Sequence, residues 1–415
     1  MDERQLKHKE ETVQLPKTLL NGRFVNLPLD TIYFGPDSLD KLPGLLDEHG
    51  VKRAIVVTGR SLSNNALLMD RLHSLLGSRL AGVVGEAQQH VPRLSVLRVA
   101  ETARSKGADG LISFGGGSPN DTAKAVAWAL AEDIKTLEEF DRFAIKFEYP
   151  DKIEIPPLTK VPMPIFAVPT TLSAGDFTHF IGITDEARKV KDLYGDRKLT
   201  AKAVVLDPKV TRFTPEWLWL SSGIRAVDHC VETILSTMAQ PFTDALTSHA
   251  LSMLFRYLKE CKKDPDDLAA RGQCQVASWL SFFGLSNVNL GLSHGIGHQL
   301  GARCNVPHGY TSCVMMHNVM EFNREATLAR QAWIAHVLGL TGFADQEAAA
   351  TSAKEALLGL IRDDLGLPWR LRDVGVGEDE FGPIARDAMQ DLIVASNPRK
   401  VSSEAEIVEL LRKAW

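Results

Sequence analysis

The hydrophobic period divides this chain in two. Up to about residue 207, short continuous apolar runs alternate with helical patterns, and beyond Pro215 the helical period runs almost without a break. The runs are TIYF at 31–34, KRAIVVTG at 52–59, residues 80–84, LISF at 111–114 and PIFAV at 164–168. Apolar stretches of that length bounded by charge or glycine are what a strand buried on both faces of a parallel sheet requires. Helices are predicted from Leu39, with Ser38 as cap and Pro43 in the first turn or at a bend, and over 66–76, 94–106 and 122–131. Residues 180–184 and 203–207 read as a strand pair around a polar hairpin, and the charged, Pro-rich stretch 133–162 as a surface excursion. Further helices are expected at 215–238, 241–262, 265–285, 288–302, 310–322, 325–340, 345–365, 379–392 and 403–414. The organisation implied is an unassigned extension over 1–27, an α/β domain over 28–210, an all-helical domain over 211–415, and a cleft between the two.

Composition narrows the class. The 415 residues are 44% hydrophobic and 24% charged, as in an ordinary globular enzyme, and the net charge of −5 leaves no basic footprint for nucleic acid. No apolar run approaches the ~18 residues of a membrane span. The opening MDERQLKHKEETVQLPK lacks the apolar segment of a signal peptide. Five cysteines, without framework spacing, suit reduced thiols in a cytoplasmic protein acting on a small molecule.

Three stretches carry chemistry. The strand LISF opens onto Gly115-Gly116-Gly117-Ser118, followed at once by a helix; bare amides and a helix N-terminus together favour a phosphate. This is neither the GxGxxG fingerprint nor a Walker loop. The strand PIFAV ends in Pro169-Thr170-Thr171 with Ser173 and Gly175 beyond, where hydroxyls offer donors to a bound nucleotide or simply close a loop. Lys189, Lys191 and Arg197 lie in the polar hairpin, within reach of such a nucleotide or solvated. The third stretch, LGLSHGIGHQLGARCNVPHGY from Leu290, holds His294, His298 and His308. His294 and His298 are four apart and share a helix face, Pro307-His308-Gly309 reads as a turn bringing back a third imidazole, and Gly291, Gly295, Gly297 and Gly301 permit close approach. Converging imidazoles suit a metal, a proton relay or an anionic substrate; separately, each fits a satisfied core histidine.

Taken together, YFGPDSLDKL, KRAIVVTGRSL, QQHVP, GGGSPNDTAKA, AVPTTLSAG, VVLDPKVT, SSGIRAVDHCVE, the histidine stretch and NPRKVSSEAEIVELLRKAW resemble the iron-type (group III) alcohol dehydrogenases, most of all the maleylacetate reductases. The resemblance spans Thr31 to Trp415. It implies a Rossmann-like α/β domain joined to an all-α domain, the architecture shared with dehydroquinate synthase, and a homodimer. It also implies NADPH or NADH as cofactor, with the pyrophosphate on Gly116, Gly117 and Ser118 beside Asp121, and Thr170, Thr171, Ser173 and Lys191 lining the nucleotide site. Gly59 stands where NAD-preferring relatives often carry an aspartate, and Arg60 follows, which leaves room for a 2′-phosphate.

The resemblance breaks at one position. Metal-dependent relatives hold their ion on one aspartate and three histidines; the histidines correspond to His229, His294 and His308, but the aspartate position is Arg225. At ~4 Å and an effective dielectric near 20, a guanidinium and a dication repel by on the order of 8 kcal/mol. Asp228 points about 100° away from His229 on a helix, and Asp176, in the PTT loop, is the other acid in question. No tight catalytic metal is therefore expected. Arg225 and His229 are read as holding a carboxylate or developing oxyanion, with His298 or His294 supplying the proton after hydride transfer to a carbonyl or C=C carbon. An internal ion pair of Arg225 with Asp228, Glu232 or Asp176 is the competing account. A metal-dependent alcohol dehydrogenase or aldehyde reductase, a redox-silent lyase of the same superfamily and a non-catalytic binding protein remain as alternative functions.

Overall fold

The computed structural model describes residues 22–148 and 151–415. Most of the extension 1–27 therefore lies outside the described residues; its last part, 22–27, has no regular secondary structure, and Val25 and Asn287 exchange hydrogen bonds through the backbone N–H and C=O of Val25.

The first half is a six-stranded parallel sheet with helices on both faces. Its elements are β1 (Thr31–Phe34), α1 (Leu42–Glu48), β2 (Ala54–Val57), α2 (Ala66–Leu76), β3 (Leu80–Val84), α3 (Arg93–Ser105), β4 (Gly110–Gly115), α4 (Gly117–Glu132), β5 (Ile165–Pro169), β6 (Phe180–Asp185), β7 (Val190–Gly195) and β8 (Ala203–Leu206). The sheet order is β1-β8-β5-β4-β2-β3, every pairing parallel. β2, β4, β5 and β8 are buried along their whole length, the reason they read as unbroken apolar runs. The chain leaves β2 for β3 on one side and returns to β4 on the other. The ends of β2 and β4 thus flank the switch point where open α/β sheets bind ligands.

Two expectations are corrected here. Residues 180–185 do not pair with 203–206. β6 pairs antiparallel with β7, which the sequence reading took for hairpin loop, while β8 enters the main sheet between β1 and β5. The charges on β7 hid its strand character, since only Tyr194 along it is buried. Ser38 does not cap a helix: a 3₁₀ turn over Ser38–Lys41 precedes α1, and Pro43 sits in the first turn of α1, where its missing N–H costs nothing. Within 133–162 a small hairpin forms, Lys146–Glu148 with Lys152–Glu154.

The second half is helical: α5 (Glu216–Leu235), α6 (Pro241–Lys263), α7 (Leu268–Phe282), α8 (Leu292–Cys304), α9 (His308–Phe322), α10 (Arg324–Val337), α11 (Gln346–Gly359), α12 (Phe381–Ala388) and α13 (Glu404–Lys413). α5 is the axis of this half. Every residue from Trp219 to Leu235 is buried, and α6, α7 and α9 pack around it. A helix buried on all sides must satisfy its polar side chains internally. Arg225, Asp228, His229 and Glu232 form such a polar stripe at helical spacing along α5. α8 crosses the stripe on its glycines: a Cβ on Gly295 would strike Val394, one on Gly297 would lie 2.8 Å from Thr311 Oγ1 and 3.4 Å from Arg225 Nη1, and one on Gly301 would lie 3.0 Å from His90 Cε1. The expected turn at 307–309 is shifted: His308 is the first residue of α9, and the reversal falls on Asn305, in the left-handed region, through Pro307. Among the described residues no helix is long and apolar enough to cross a membrane.

Candidate active site

At the switch point the backbone is shaped for an anion. β4 ends at Gly115 with φ near +149°, a conformation side chains rarely adopt, and α4 begins at Gly117. A Cβ on Gly116 would sit 3.0 Å from Thr171 Cγ2, and one on Gly117 3.4 Å from Ser173 Oγ, so the PTT loop closes over the turn. The Thr171 and Ser173 hydroxyls are enclosed yet have no protein partner. Free hydroxyls beside bare amides at a helix N-terminus fit a pyrophosphate. Ser118 is in the first turn of α4 and Asp121 one turn on; burial raises the Asp121 carboxyl, opposed by Lys191 and Lys124, and its Oδ2 accepts from Gly182 N–H at 3.4 Å. Thr170 donates its N–H to the Gly115 carbonyl at 2.7 Å, locking β5 to the turn. Gly59 ends the β2 segment and Arg60, exposed, opens a short helical turn across the switch point.

Asp176, further along the PTT loop, faces Lys124 and Asp121 rather than the imidazoles. It is buried with neither carboxylate oxygen hydrogen-bonded, and burial pushes its pKa up to about 7. The folded chain therefore holds this proton more tightly than the unfolded one, whose value lies near the ordinary 3.8. That contribution to stability is complete below about pH 4 and is lost as pH rises to 7, on the order of 4 kcal/mol. Asp176→Asn should flatten the fall in unfolding free energy between pH 4 and 7, measured by urea denaturation. An unchanged slope would assign the fall to other groups.

In the helical half, α5, α8 and α9 bring Arg225, His229, His294, His298 and His308 together. His229 and His294 lie with ring centroids 5.0 Å apart, and His298 stacks on His308 at 6.2 Å and 7°. His229 Nδ1 and His294 Nε2 are buried without a partner. Burial, and the guanidinium of Arg225 after it, hold the imidazoles of His294 and His308 well below their ordinary range; for His229 the order is burial, His294, then Arg225. All three are neutral near pH 7. Arg225 is 4% exposed. Burial lowers its pKa to about 10, so it stays charged.

The expected competitor, an ion pair of Arg225 with Asp228, Glu232 or Asp176, is not among the ion pairs of the described residues. Nη1 instead donates to Ser312 Oγ at 3.0 Å, and Ser312 Oγ donates to Asp228 Oδ2 at 2.6 Å. Ser293 Oγ gives Asp228 a second bond at 2.7 Å. Glu232 accepts the N–H groups of Gly291 and Ser293, each at 2.8 Å, and shares a 2.7 Å bond with His294 Nδ1. Burial pushes both Asp228 and Glu232 up to about 7. His298 Nδ1 shares a 2.8 Å bond with Asp391 Oδ2. Ser312 and Asp391 were missed from sequence, and Glu232 was read only as an ion-pair partner of Arg225, not as the partner of His294. Asp391 is 93 residues from its histidine with no local signal.

Comparison with known proteins fits this geometry. Residues 30–208 match the model of iron-containing alcohol dehydrogenases and residues 219–415 that of the C-terminal part of the same family. Lactaldehyde reductase of Escherichia coli is 30% identical over 397 residues, covering 93% of this chain and 98% of its own length. The chain belongs to the iron-containing alcohol dehydrogenase family. Maleylacetate reductase of Pseudomonas knackmussii is 29% identical over 384 residues, 92% of this chain and 95% of its own. The crystal structure of a 1,3-propanediol oxidoreductase superposes with TM-score 0.86 at 28% identity, over 95% of this chain and all of that one.

For an iron-containing alcohol dehydrogenase the metal question turns on the donors present. Among the described residues two groups of ligand atoms converge within 4.8 Å: Asp228, Glu232 and His294, and the partly exposed Asp141, Asp185 and Asp192. Neither contains His229 or His308. The first is already occupied by two serine hydroxyls, two backbone N–H groups and an imidazole bond. Neutral imidazoles beside an unpaired guanidinium do not suit a divalent ion.

Proposed function

We propose that this member of the family is an NAD(P)H-dependent reductase of a small oxo acid, in which Arg225 takes the charge-stabilising part that a divalent ion plays elsewhere. The observation that carries this reading is the state of Arg225: buried, charged, tethered through one nitrogen to a serine, and set among imidazoles of which His229 Nδ1 and His294 Nε2 are buried without a partner. A planar guanidinium offers two parallel donors to a carboxylate or a developing oxyanion. Gly116, Gly117, Ser118, Asp121, Thr171 and Ser173 are assigned to the pyrophosphate. Gly59 presents no carboxylate and Arg60 is free to meet a 2′-phosphate, so NADPH as well as NADH is accommodated. When bound, the nicotinamide supplies the hydride. The chain's own residues do the rest. Arg225, with His229 beside it, holds the negative charge that grows on the substrate oxygen. His298, held by Asp391 and stacked on His308, delivers the proton; an imidazole oriented by a carboxylate is suited to that transfer. Buried His294, locked by Glu232, shapes the wall behind.

The test is an assay after exhaustive chelation, following NADPH and NADH oxidation with maleylacetate, simple 2-oxo acids and aldehydes, with and without added iron or zinc. Full turnover of oxo acids in protein that carries no metal by mass spectrometry is the expected result. Turnover that returns only with metal would overturn the part given to Arg225 and favour a metal-dependent alcohol dehydrogenase.

A further inference from the structure

The glycines of α8 and the Asn397-Pro398-Arg399 segment near the C-terminus meet in the fold. α8 carries Gly295, Gly297 and Gly301 within its 13 residues, a composition that weakens a helix by itself. Its N-cap residue is Gly291, which offers no side chain to the first backbone N–H groups. Those groups are taken by side chains from other elements. Glu232 of α5 accepts from Gly291 and Ser293, and Asn397 Oδ1 accepts from Leu292, between them, at 3.1 Å. Asn397 is fully buried and uses its whole amide. Its Nδ2 donates to Asn323 Oδ1 at 2.6 Å and to the Arg399 carbonyl at 2.7 Å, while Asn323 Nδ2 returns a 3.0 Å bond to Asn397 Oδ1. Asn323 is the C-cap residue of α9, and Arg399 Nη1 donates to the carbonyl of Phe322, the last residue of that helix, at 3.1 Å. Asn397 and Arg399 thus tie α8 to the far end of the helix that begins at His308.

Upstream of Asn397 the chain runs antiparallel along α8. Ser396 Oγ donates to the Leu290 carbonyl at 2.9 Å, shared with that of Ile393. Val394 lies on Gly295, where a Cβ would strike it. Asp391 Oδ2 meets His298 Nδ1 at 2.8 Å and accepts from Gln299 Nε2 at 3.2 Å. A Cβ on Gly291 would stand 2.8 Å from Asn397 Oδ1, so both ends of this contact need a bare helix face. We infer that residues 391–399 form a brace that sets α8 in place, and that Asn397 is a positioning residue, fixing the helix N-terminus so that His298, further along, meets Asp391 with its ring aimed at the substrate. A helix rich in glycine and without a cap of its own keeps its place only through such outside partners, and a misplacement of ~1 Å near the reacting atoms costs on the order of 10²-fold in rate. This role for Asn397 rests on His298 being the proton donor proposed above.

Two readouts separate the brace from that reading. The first is the hydrogen-bonded ring N–H proton of His298, identified by its absence in His298→Ala and followed by NMR in protein without metal or substrate. The second is kcat for the oxo acid turned over in the chelation assay, with the dissociation constant of NADPH measured alongside. Asn397→Ala should shift or broaden the ring signal and lower kcat by about tenfold or more, with NADPH held within about threefold of wild type, which also reports folded protein. Added to His298→Ala, the same change should lower kcat by less than about threefold, because both act through one ring. Ser396→Ala removes an outer tie and keeps the amide pair. It should move the ring signal in the same direction by less, and it tests the brace if Asn397→Ala does not fold. A ring signal unchanged in both variants, or an equal loss of kcat with and without His298, would make Asn397 a support of the fold alone and overturn its positioning role. A shifted ring signal with undiminished kcat would sink His298 as the donor and leave the brace standing.

Discussion

Arg225→Asp should raise the affinity of the site for a divalent metal and lower turnover of oxo acids by on the order of 10²–10³-fold, the range seen when a single donor to a developing oxyanion is removed. The guanidinium is the charge that now depresses the protonation of His294 and His308 after burial, and its loss frees His294 Nε2 to act as a ligand. An aspartate in its place would stand near Asp228 and Glu232, both already pushed up to about 7 by burial. A third carboxylate there is costly unless a cation joins it. Bound iron or zinc should therefore rise toward one per chain by mass spectrometry, and the melting temperature should become metal-dependent. Arg225→Met is the companion: it should lose oxo-acid turnover to a similar degree without gaining metal. Full activity in Arg225→Asp, or loss of activity with no metal gained, would show that Arg225 serves another purpose.

His298→Ala should lower kcat by 10²–10⁴-fold, the span that general acid catalysis by a side chain contributes. Asp391→Asn should cost less than His298→Ala. Asp391 orients the ring through Nδ1, accepts from Gln299 Nε2 at 3.2 Å, and caps the short turn at Leu392–Ala395 through Ile393 N–H. Asparagine keeps an acceptor for that cap and so preserves the fold while removing the charge that steadies an imidazolium. A kcat within tenfold of wild type in His298→Ala would move the proton donor elsewhere, with His294 next in order. KM for the oxo acid should change little in either variant.

The sequence alone determined the architecture and the parts of the site that lie on single elements. Unbroken apolar runs such as AIVV and LISF leave no polar face, so only a parallel sheet covered on both sides accommodates them. The glycine turn, the PTT loop and the i, i+4 pair of histidines on α8 are local patterns whose geometry follows from chain spacing. Arg225 was legible as an exception because the family resemblance places a ligand aspartate there, four residues before His229. The tertiary structure decided what depends on distant residues. It paired β6 with the charged β7 rather than with β8, because edge pairing is set by backbone position and not by hydrophobicity. It resolved the partner of Arg225 as Ser312, 87 residues away, in place of a direct ion pair. It joined Asp391 to His298 and Glu232 to His294. A buried charge takes whichever partner the packing of separate helices brings within a few ångströms, and no local period of the chain encodes that meeting.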